Sequence, residues 1–437
     1  MKRKMVIIGT GSAMFTQGLI TDLIRSHPGG HEWSIALCDT DEQVLKDVTR
    51  MVQKMLRVKN LEVELTSSPD RCELLPGADY VISTIGVGGR RAWEQDVFIP
   101  RKYGVYQPVG DTAMPGGISR AMRMVPAMTQ IVEDVKRLAP NAHFFNYSNP
   151  MAVICRALSK AVDFPVTGLC IGTAESEWFI ADCMGYDKSR VSSLAAGINH
   201  CTFIYDYFLD GKSVLKEIRQ KMHQVFARDI LYAETRSEEE KNDALIQFGN
   251  PFSWEFFLKY NAYPAPGDRH ITEFFTEYFH DGAYYGKRLG IDAYSFEETI
   301  RWGDSIFERM TELARSDEEL PTDFFERSHG EHEQLISIID SIERDSRKTF
   351  YVNLPNRGVI PNLPSWAVLE MPAVASARGL TPLYSPAFPT PLASMTNRFL
   401  AGVEMTAEAA LTGDRQLKQI HFVGVTPRLT ACVKSNR

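Results

Sequence analysis

The chain has 437 residues, 44 % of them hydrophobic and 24 % charged, with a formal net charge of −7. Such a length asks for two or three domains of roughly 100–200 residues with ample core, and the acidic balance gives no basis for nucleic-acid binding. No apolar run approaches the roughly 20 residues of a membrane span, VIIG after the basic MKRK is too short for a signal-peptide core, and the seven scattered cysteines argue for reduced thiols in a cytoplasm.

Met5 to Ile8 predict a short buried strand. Gly9, Gly11 and Ser12 follow as a tight turn, and a helix-like stretch runs from Phe15 to Ile24. This arrangement presents backbone N–H groups to a pyrophosphate at a helix N-terminus. Met14 stands where the third glycine of the dinucleotide fingerprint would be. A second strand, SIALCD at 34–39, ends in Asp39, where a carboxylate accepts from adenosine ribose hydroxyls and repels a ribose phosphate, so NAD is preferred over NADP. An amphipathic helix, DEQVLKDVTRMVQKML, comes next. VELT (63–66) is a third strand, and ADYVISTIGVGG (78–89) a fourth that runs into glycines including Gly86. A long helix is predicted over 119–138 despite Pro126. HFFNYSNP (143–150) and PVTGLC (165–170) are the fifth and sixth strands.

Strands separated by helices imply an α/β fold with a doubly wound parallel sheet, whose ligands bind at the carboxyl ends of the strands. Gly9–Ser12, Asp39, Gly86–Gly89, Asn146–Pro150 and Cys170 should therefore converge on one crevice. The second half is less regular. Strands broken by a turn at Asp210-Gly211 are expected over 192–211, a charged surface stretch over 234–247, helices over 296–345, and an irregular tract over 353–390. The expected division is a Rossmann-like NAD-binding domain at 1–172 and an α+β domain at 173–437 carrying metal, substrate and oligomer contacts.

The polar constellations suggest sugar chemistry. VGDTAMPGGISR offers Asp111 to sugar hydroxyls, or it is simply a helix-entry turn. NYSNPM places Asn146 and Asn149 at a strand end; asparagine both donates and accepts, and the Asn-Pro step favours extended backbone. Cys170 and His200 match no close-spaced zinc motif, although thiolate plus imidazole suits a divalent transition metal with open positions for substrate oxygens. GDRHITEFF carries Asp268, His270 and Glu273, with Tyr263 nearby; any of them could act as a base, and helix capping explains Asp268 equally well. His270 and Glu273 are spaced to pair on one helical face. Arg90 and Arg91 could serve an anionic substrate or simply lie on the surface.

Together these segments resemble the NAD- and metal-dependent glycosidases of glycoside hydrolase family 4. The likeness covers the GTGS turn, GVGG, DVFIPRKYGVYQPVGDTAMPGGISR, NYSNPM, Cys170, GINH, GDRHITEF and NLPNRGVIPNLP, and is strongest toward the α-galacturonidase branch. The resemblance implies a lactate/malate-dehydrogenase-like architecture and hydrolysis by a redox route, outside the two-carboxylate scheme. The sugar is oxidised at carbon 3, the acidified carbon 2 proton leaves, the glycosidic oxygen departs from carbon 1, water adds and the ketone is reduced again. It also implies Cys170 and His200 as ligands of a divalent metal such as manganese(II), Asn149, Asp111 and His270 as substrate contacts, and Asp268 as proton acceptor with Tyr263 as rival. A small glycoside or uronide is the implied substrate, and a homodimer or homotetramer the implied assembly.

One departure stands out. The residue after the metal cysteine is commonly His, Asn or Asp in this family and donates a proton in several branches; here it is Ile171. Either the leaving group departs unaided, or Thr173 or a water substitutes, or activity has drifted toward sensing. The competing enzyme reading is a plain NAD-dependent dehydrogenase acting on a hydroxy acid or sugar.

Overall fold

Six short apolar strands build the first half: β1 (Arg3–Ile8), β2 (Trp33–Cys38), β3 (Glu64–Ser67), β4 (Tyr80–Ser83), β5 (His143–Asn146) and β6 (Val166–Gly168). They pair in parallel in the order β3-β2-β1-β4-β5-β6. This is the doubly wound order, with a topological switch point between β1 and β4. The computed structural model describes residues 2–27, 32–226, 237–325, 333–386, 388–414 and 416. No described helix is long and apolar enough to cross a membrane.

The remaining strands are β7 (Val191–Ile198), β8 (Cys201–Leu209), β9 (Lys212–Ser213), β10 (Tyr263–Ala265), β11 (Ala283–Tyr284), β12 (Lys287–Arg288), β13 (Thr349–Pro355), β14 (Val368–Ser376) and β15 (Gly379–Pro382). The sheet continues from β6 through β13, β14, β7 and β8 to β10 in antiparallel pairings, and with β9 and β15 it reaches 13 strands. β11 and β12 form a separate hairpin. The sheet thus passes from Gly168 to Asn353 across the boundary expected after residue 172.

Helices cover both faces of the parallel half, as parallel sheets require. One apolar core joins β1, β2 and β4 to the helices Ala13–Ser26, Glu42–Val58, Phe296–Arg315 and Glu333–Arg344. The opposite core uses the helices Met114–Leu138, Met151–Ala161 and Thr390–Thr412. The helix Glu42–Val58 starts where Asp41 accepts from the Gln43 and Val44 backbone N–H groups, both at 3.0 Å.

Three expectations need correction. The tract 353–390 is not irregular: it contains the end of β13 and all of β14 and β15, with a loop rich in Asn and Pro between β13 and β14. Pro355 and Pro382 close β13 and β15, and the apolar run Val368–Ala375, interrupted by Glu370, is a buried central strand. Second, the main hairpin turn in 192–211 falls at Asn199-His200, with His200 at φ +65°, while Asp210-Gly211 makes only the short turn into β9. Third, the long helix begins at Met114 rather than 119. Gly116 and Gly117 permit this, because a Cβ at either would lie 2.5 and 2.4 Å from backbone atoms of Gly110 and Thr112. The charged stretch is the helix Glu238–Phe248, closed by a Ser237/Glu240 capping box; residues 234–236 and Cys432 lie outside the described residues.

Candidate active site

The cofactor side of the crevice forms at the ends of β1, β2 and β4. Gly9 has φ +90°, and a Cβ there would sit 2.8 Å from the Ile85 nitrogen, so only glycine lets the turn pass under the β4 loop. Asp39 accepts from the Gly11 backbone N–H at 2.7 Å and from the Asp41 N–H at 3.1 Å. Its carboxylate therefore both shapes the turn and, being only partly buried, keeps lone pairs toward the crevice. Ser12 precedes the helix Ala13–Ser26 without a side-chain cap, which leaves the first N–H groups of that helix available to an anion. Gly86 is exposed in the loop after β4. Gly9, Gly11, Ser12 and Asp39 are thus brought together around one turn, and Gly86 follows the adjacent strand β4.

The sugar side is built around the Asp111 loop. Asn149 Nδ2 donates to Asp111 Oδ2 at 3.0 Å, and Thr112 Oγ1 donates to Asp111 Oδ1 at 2.6 Å. The same Thr112 oxygen lies 2.8 Å from His200 Nδ1, and the rings of His200 and His270 stand 4.2 Å apart. One ligand atom each from Asp111, His200 and His270 lies within 4.8 Å of the other two. Burial holds both imidazoles below their usual range, most strongly His270, which also faces His200 and Arg269. Neutral imidazoles carry the lone pair a metal needs. The buried Asn149 Oδ1 has no hydrogen-bond partner among the described residues.

Cys170 lies at the β6 end, as expected. Its Sγ accepts from the Gly172 N–H at 3.4 Å, and Pro266 packs against Gly172 beside it. The thiol does not lie within 4.8 Å of all three ligand atoms of the Asp111 cluster. Ile171 is buried and immediately precedes the helix Gly172–Met184. Thr173 cannot stand in as proton donor in this arrangement, because its buried hydroxyl donates to Glu370 Oε1 at 2.5 Å.

Asp268 and Tyr263, the expected proton acceptor and its rival, are both deeply buried. The Asp268 carboxylate is fully buried and accepts four hydrogen bonds: from the Phe252 and Ser253 N–H groups at 2.8 Å each, from Ser253 Oγ at 2.6 Å and from the Tyr284 hydroxyl at 2.7 Å. It caps the helix Pro251–Tyr260. Tyr263 sits in an apolar cluster with Ile180, Ile204, Trp254 and Phe257, its ring 4.8 Å from that of Trp254. Its hydroxyl is closed to solvent and makes no well-formed hydrogen bond. Neither oxygen is open to the crevice. Arg90 and Arg91 are taken as well, both by Asp304.

Sequence reasoning missed one carboxyl beneath the site and gave a second the wrong partner. Glu370 on β14 joins Thr173, just after Cys170, to Asn199, just before His200; Asn199 Nδ2 donates to Glu370 Oε2 at 2.9 Å. The signal was a lone glutamate inside the apolar run VLEMPAVA. Glu273 pairs not with His270 but with the backbone: its Oε1 accepts from the Val109 and Gly110 N–H groups, each at 2.8 Å, and so holds the Asp111 loop. Arg120 was missed too. It donates to the Asn149 carbonyl at 3.1 Å and makes no carboxylate pair among the described residues.

Burial pushes Glu273 up to about 8, against the two backbone donors that pull the other way. A raised folded value means the neutral acid is the stabilising form. That stability is complete below the ordinary value of 4.5 and is lost as pH rises through about 8. Glu273→Gln keeps an acceptor for both N–H groups and should abolish this alkaline slope in thermal melts. Glu273→Ala should cost about 2–4 kcal/mol, because two buried donors lose their acceptor. A Gln variant with an unchanged slope would assign the alkaline loss elsewhere.

The chain matches known proteins along nearly its whole length. The description "Family 4 glycosyl hydrolase" matches residues 4–185, and "Family 4 glycosyl hydrolase C-terminal domain" matches residues 195–421. An alpha-galactosidase of Rhizobium meliloti is 30 % identical over 427 residues, covering 95 % of this chain and 82 % of its own. An alpha-galacturonidase of Thermoanaerobacterium saccharolyticum is 27 % identical over 447 residues, covering 98 % and 92 %. The 6-phospho-beta glucosidase of Thermotoga maritima, solved with manganese, NAD+ and glucose-6-phosphate, superposes with a TM-score of 0.76 at 21 % identity, covering 97 % of this chain and 93 % of that one.

Proposed function

The chain belongs to the family 4 glycosyl hydrolases, and we propose that it is an NAD- and manganese-dependent glycosidase acting on small glycosides or uronides. The observation that carries this reading is the meeting of Asp111, Asn149, His200 and His270 at the carboxyl edge of the same sheet that bears the Gly9–Asp39 turn. NAD, when bound, supplies a reversible hydride acceptor, and a divalent metal supplies Lewis-acid stabilisation of charge on the sugar oxygens. The N–H groups at the Gly9–Ser12 turn would hold the pyrophosphate, and Asp39 the adenosine ribose. Gly86, in the loop after β4, is a further residue that would contact the cofactor.

Cys170 and His200 are the proposed metal ligands. Asp111 and Asn149 orient sugar hydroxyls: the Asn149 carbonyl oxygen without a partner is a ready acceptor for one. Asp268, with Tyr263 as its rival, is the proposed proton acceptor of the elimination; both are buried, so either must gain access to the crevice when the sugar enters. With Ile171 after the cysteine, no side chain at that position protonates the leaving group.

No disulfide joins the six described cysteines, in keeping with the reducing cytoplasm proposed here. Exposed Tyr103 and Trp302 are available to the contacts of a homodimer or homotetramer. The deciding experiment is a screen of aryl glycosides and uronides with NAD, manganese(II) and a thiol reductant. Sugar release without net NADH supports the glycosidase. Net NADH from a hydroxy acid supports a dehydrogenase instead, and sugar binding without turnover a sensor.

A cofactor test follows from Asp39. Asp39→Ala removes both the ribose acceptor and the anchor of the Gly11 N–H. NAD affinity should fall by about 10- to 100-fold, on the basis of roughly 1.5–3 kcal/mol for hydrogen bonds to a charged group. Discrimination against NADP should relax at the same time. Tighter binding of NADP than NAD by the unmodified protein would overturn the assignment.

A further inference from the structure

We propose that Tyr284 and Tyr294 form the path by which a proton taken up at Asp268 reaches solvent. The path rests on Asp268 as the proton acceptor of the elimination. A carboxylate closed to solvent can exchange the carbon 2 proton with water only through groups that both donate and accept. Four donors surround Asp268, and one of them leads outward. The Phe252 and Ser253 N–H groups have no lone pair to take a proton. Ser253 Oγ has one, but that residue is fully buried and its neighbour Tyr263 is sealed in an apolar cluster. The Tyr284 hydroxyl, on β11, donates to Asp268 Oδ2 at 2.7 Å and lies 3.3 Å from the Tyr294 hydroxyl. The first contact is buried and the second is partly exposed, and Tyr294 is only half-buried in the loop before the helix Phe296–Arg315.

The backbone holds this file of oxygens in place. Tyr294 has φ +55°, a value that a bulky side chain avoids and that persists only where the surroundings fix it. Its ring meets that of Tyr284 edge-on, with centroids 5.8 Å apart, which keeps the two hydroxyls together. Tyr284 has one proton and gives it to Asp268, so in the resting protein Tyr294 donates to Tyr284. When the C–H bond at carbon 2 breaks, its electron pair stays on the sugar and its proton goes to the carboxylate. Both hydroxyls then turn: Asp268 donates to Tyr284, Tyr284 passes its own proton to Tyr294, and Tyr294 passes its own to water. Each tyrosine begins and ends as a neutral hydroxyl, and no further reactant is needed. Run backwards, the same file brings a solvent proton to Asp268 for return to carbon 2 after water has added.

The test is turnover, in ordinary water, of an aryl glycoside or uronide deuterated at carbon 2, by the protein loaded with NAD and manganese(II). The released sugar is analysed for retained label by mass spectrometry. Wild type should release sugar with little deuterium at carbon 2. Tyr294→Phe removes the outer hydroxyl and no bond to Asp268, and it should raise retention severalfold; Tyr284→Phe should raise it at least as far. Ser253→Ala removes a donor to the same carboxylate but lies off the path, so its retention should match wild type. Label is counted per molecule of sugar released, so a smaller folded fraction does not move it. Wild-type retention in a folded Tyr294→Phe enzyme overturns the relay, as does a wild type that keeps most of its label or a Ser253→Ala enzyme whose retention rises as far as that of Tyr294→Phe. A folded Asp268→Asn enzyme that washes out the label at the wild-type rate overturns the choice of Asp268 as base, a distinct failure.

Discussion

Turnover in deuterated water is expected to leave deuterium at carbon 2 of the released sugar, and protein stripped of NAD is expected to hydrolyse at least about a thousandfold more slowly, a loss of about 4 kcal/mol in barrier stabilisation. The two outcomes belong together. Oxidation at carbon 3 acidifies the neighbouring proton, which must leave before the glycosidic oxygen does, so solvent can replace it. Direct displacement by paired carboxylates never breaks that bond, and the described crevice offers no such pair: Asp268 is sealed and Asp111 is tied to Thr112 and Asn149. Ile171 sharpens the expectation. Without a proton donor beside Cys170, rates should depend steeply on leaving-group acidity, with aryl glycosides far ahead of alkyl ones. Undiminished hydrolysis by NAD-free protein would falsify the redox route.

The parallel half of the fold was legible because each of its strands is a short apolar run followed by a turn signal, and its helices carry their own caps, as Asp41 does. The crevice residues were legible for the same reason: Gly9, Asp39, Asn149 and Cys170 all terminate such strands. The antiparallel half was harder. β13 and β14 are separated by a loop rich in Asn and Pro, whose composition outweighed the strands on either side. The hairpin turn at Asn199-His200 carries no glycine at the left-handed position, so Asp210-Gly211 drew the prediction instead. Side-chain direction was not legible at all. Asp268 and His270 lie two residues apart on one helical turn, and nothing in GDRH says that the first faces a helix N-terminus while the second faces His200. Glu370 and Glu273 act across about 170 and 160 residues of sequence, a separation no local pattern encodes.

Asp268→Asn should prove damaging to stability before it is informative about chemistry. The carboxylate satisfies four donors, two of them backbone N–H groups at the start of the helix Pro251–Tyr260. An amide can accept on one oxygen only, and its NH2 group would face the remaining donors. With no water to take over in a fully buried site, the cost is about 3–5 kcal/mol, the range for stranding the partners of a buried charge. Tyr263→Phe should do the opposite. Its hydroxyl is buried without a well-formed hydrogen bond, so deleting it removes a desolvated group that gains nothing, and the melting temperature should hold or rise. The pair therefore reports on catalysis once stability is controlled. If the proton acceptor lies elsewhere in the crevice, Tyr263→Phe retains carbon 2 exchange at the wild-type rate. Asp268→Asn, assayed well below its own melting temperature, then loses exchange only in proportion to the folded fraction. A stably folded Asp268→Asn enzyme that binds NAD and manganese yet exchanges no deuterium would establish Asp268 as the base, and would mean that its four hydrogen bonds rearrange when the sugar enters.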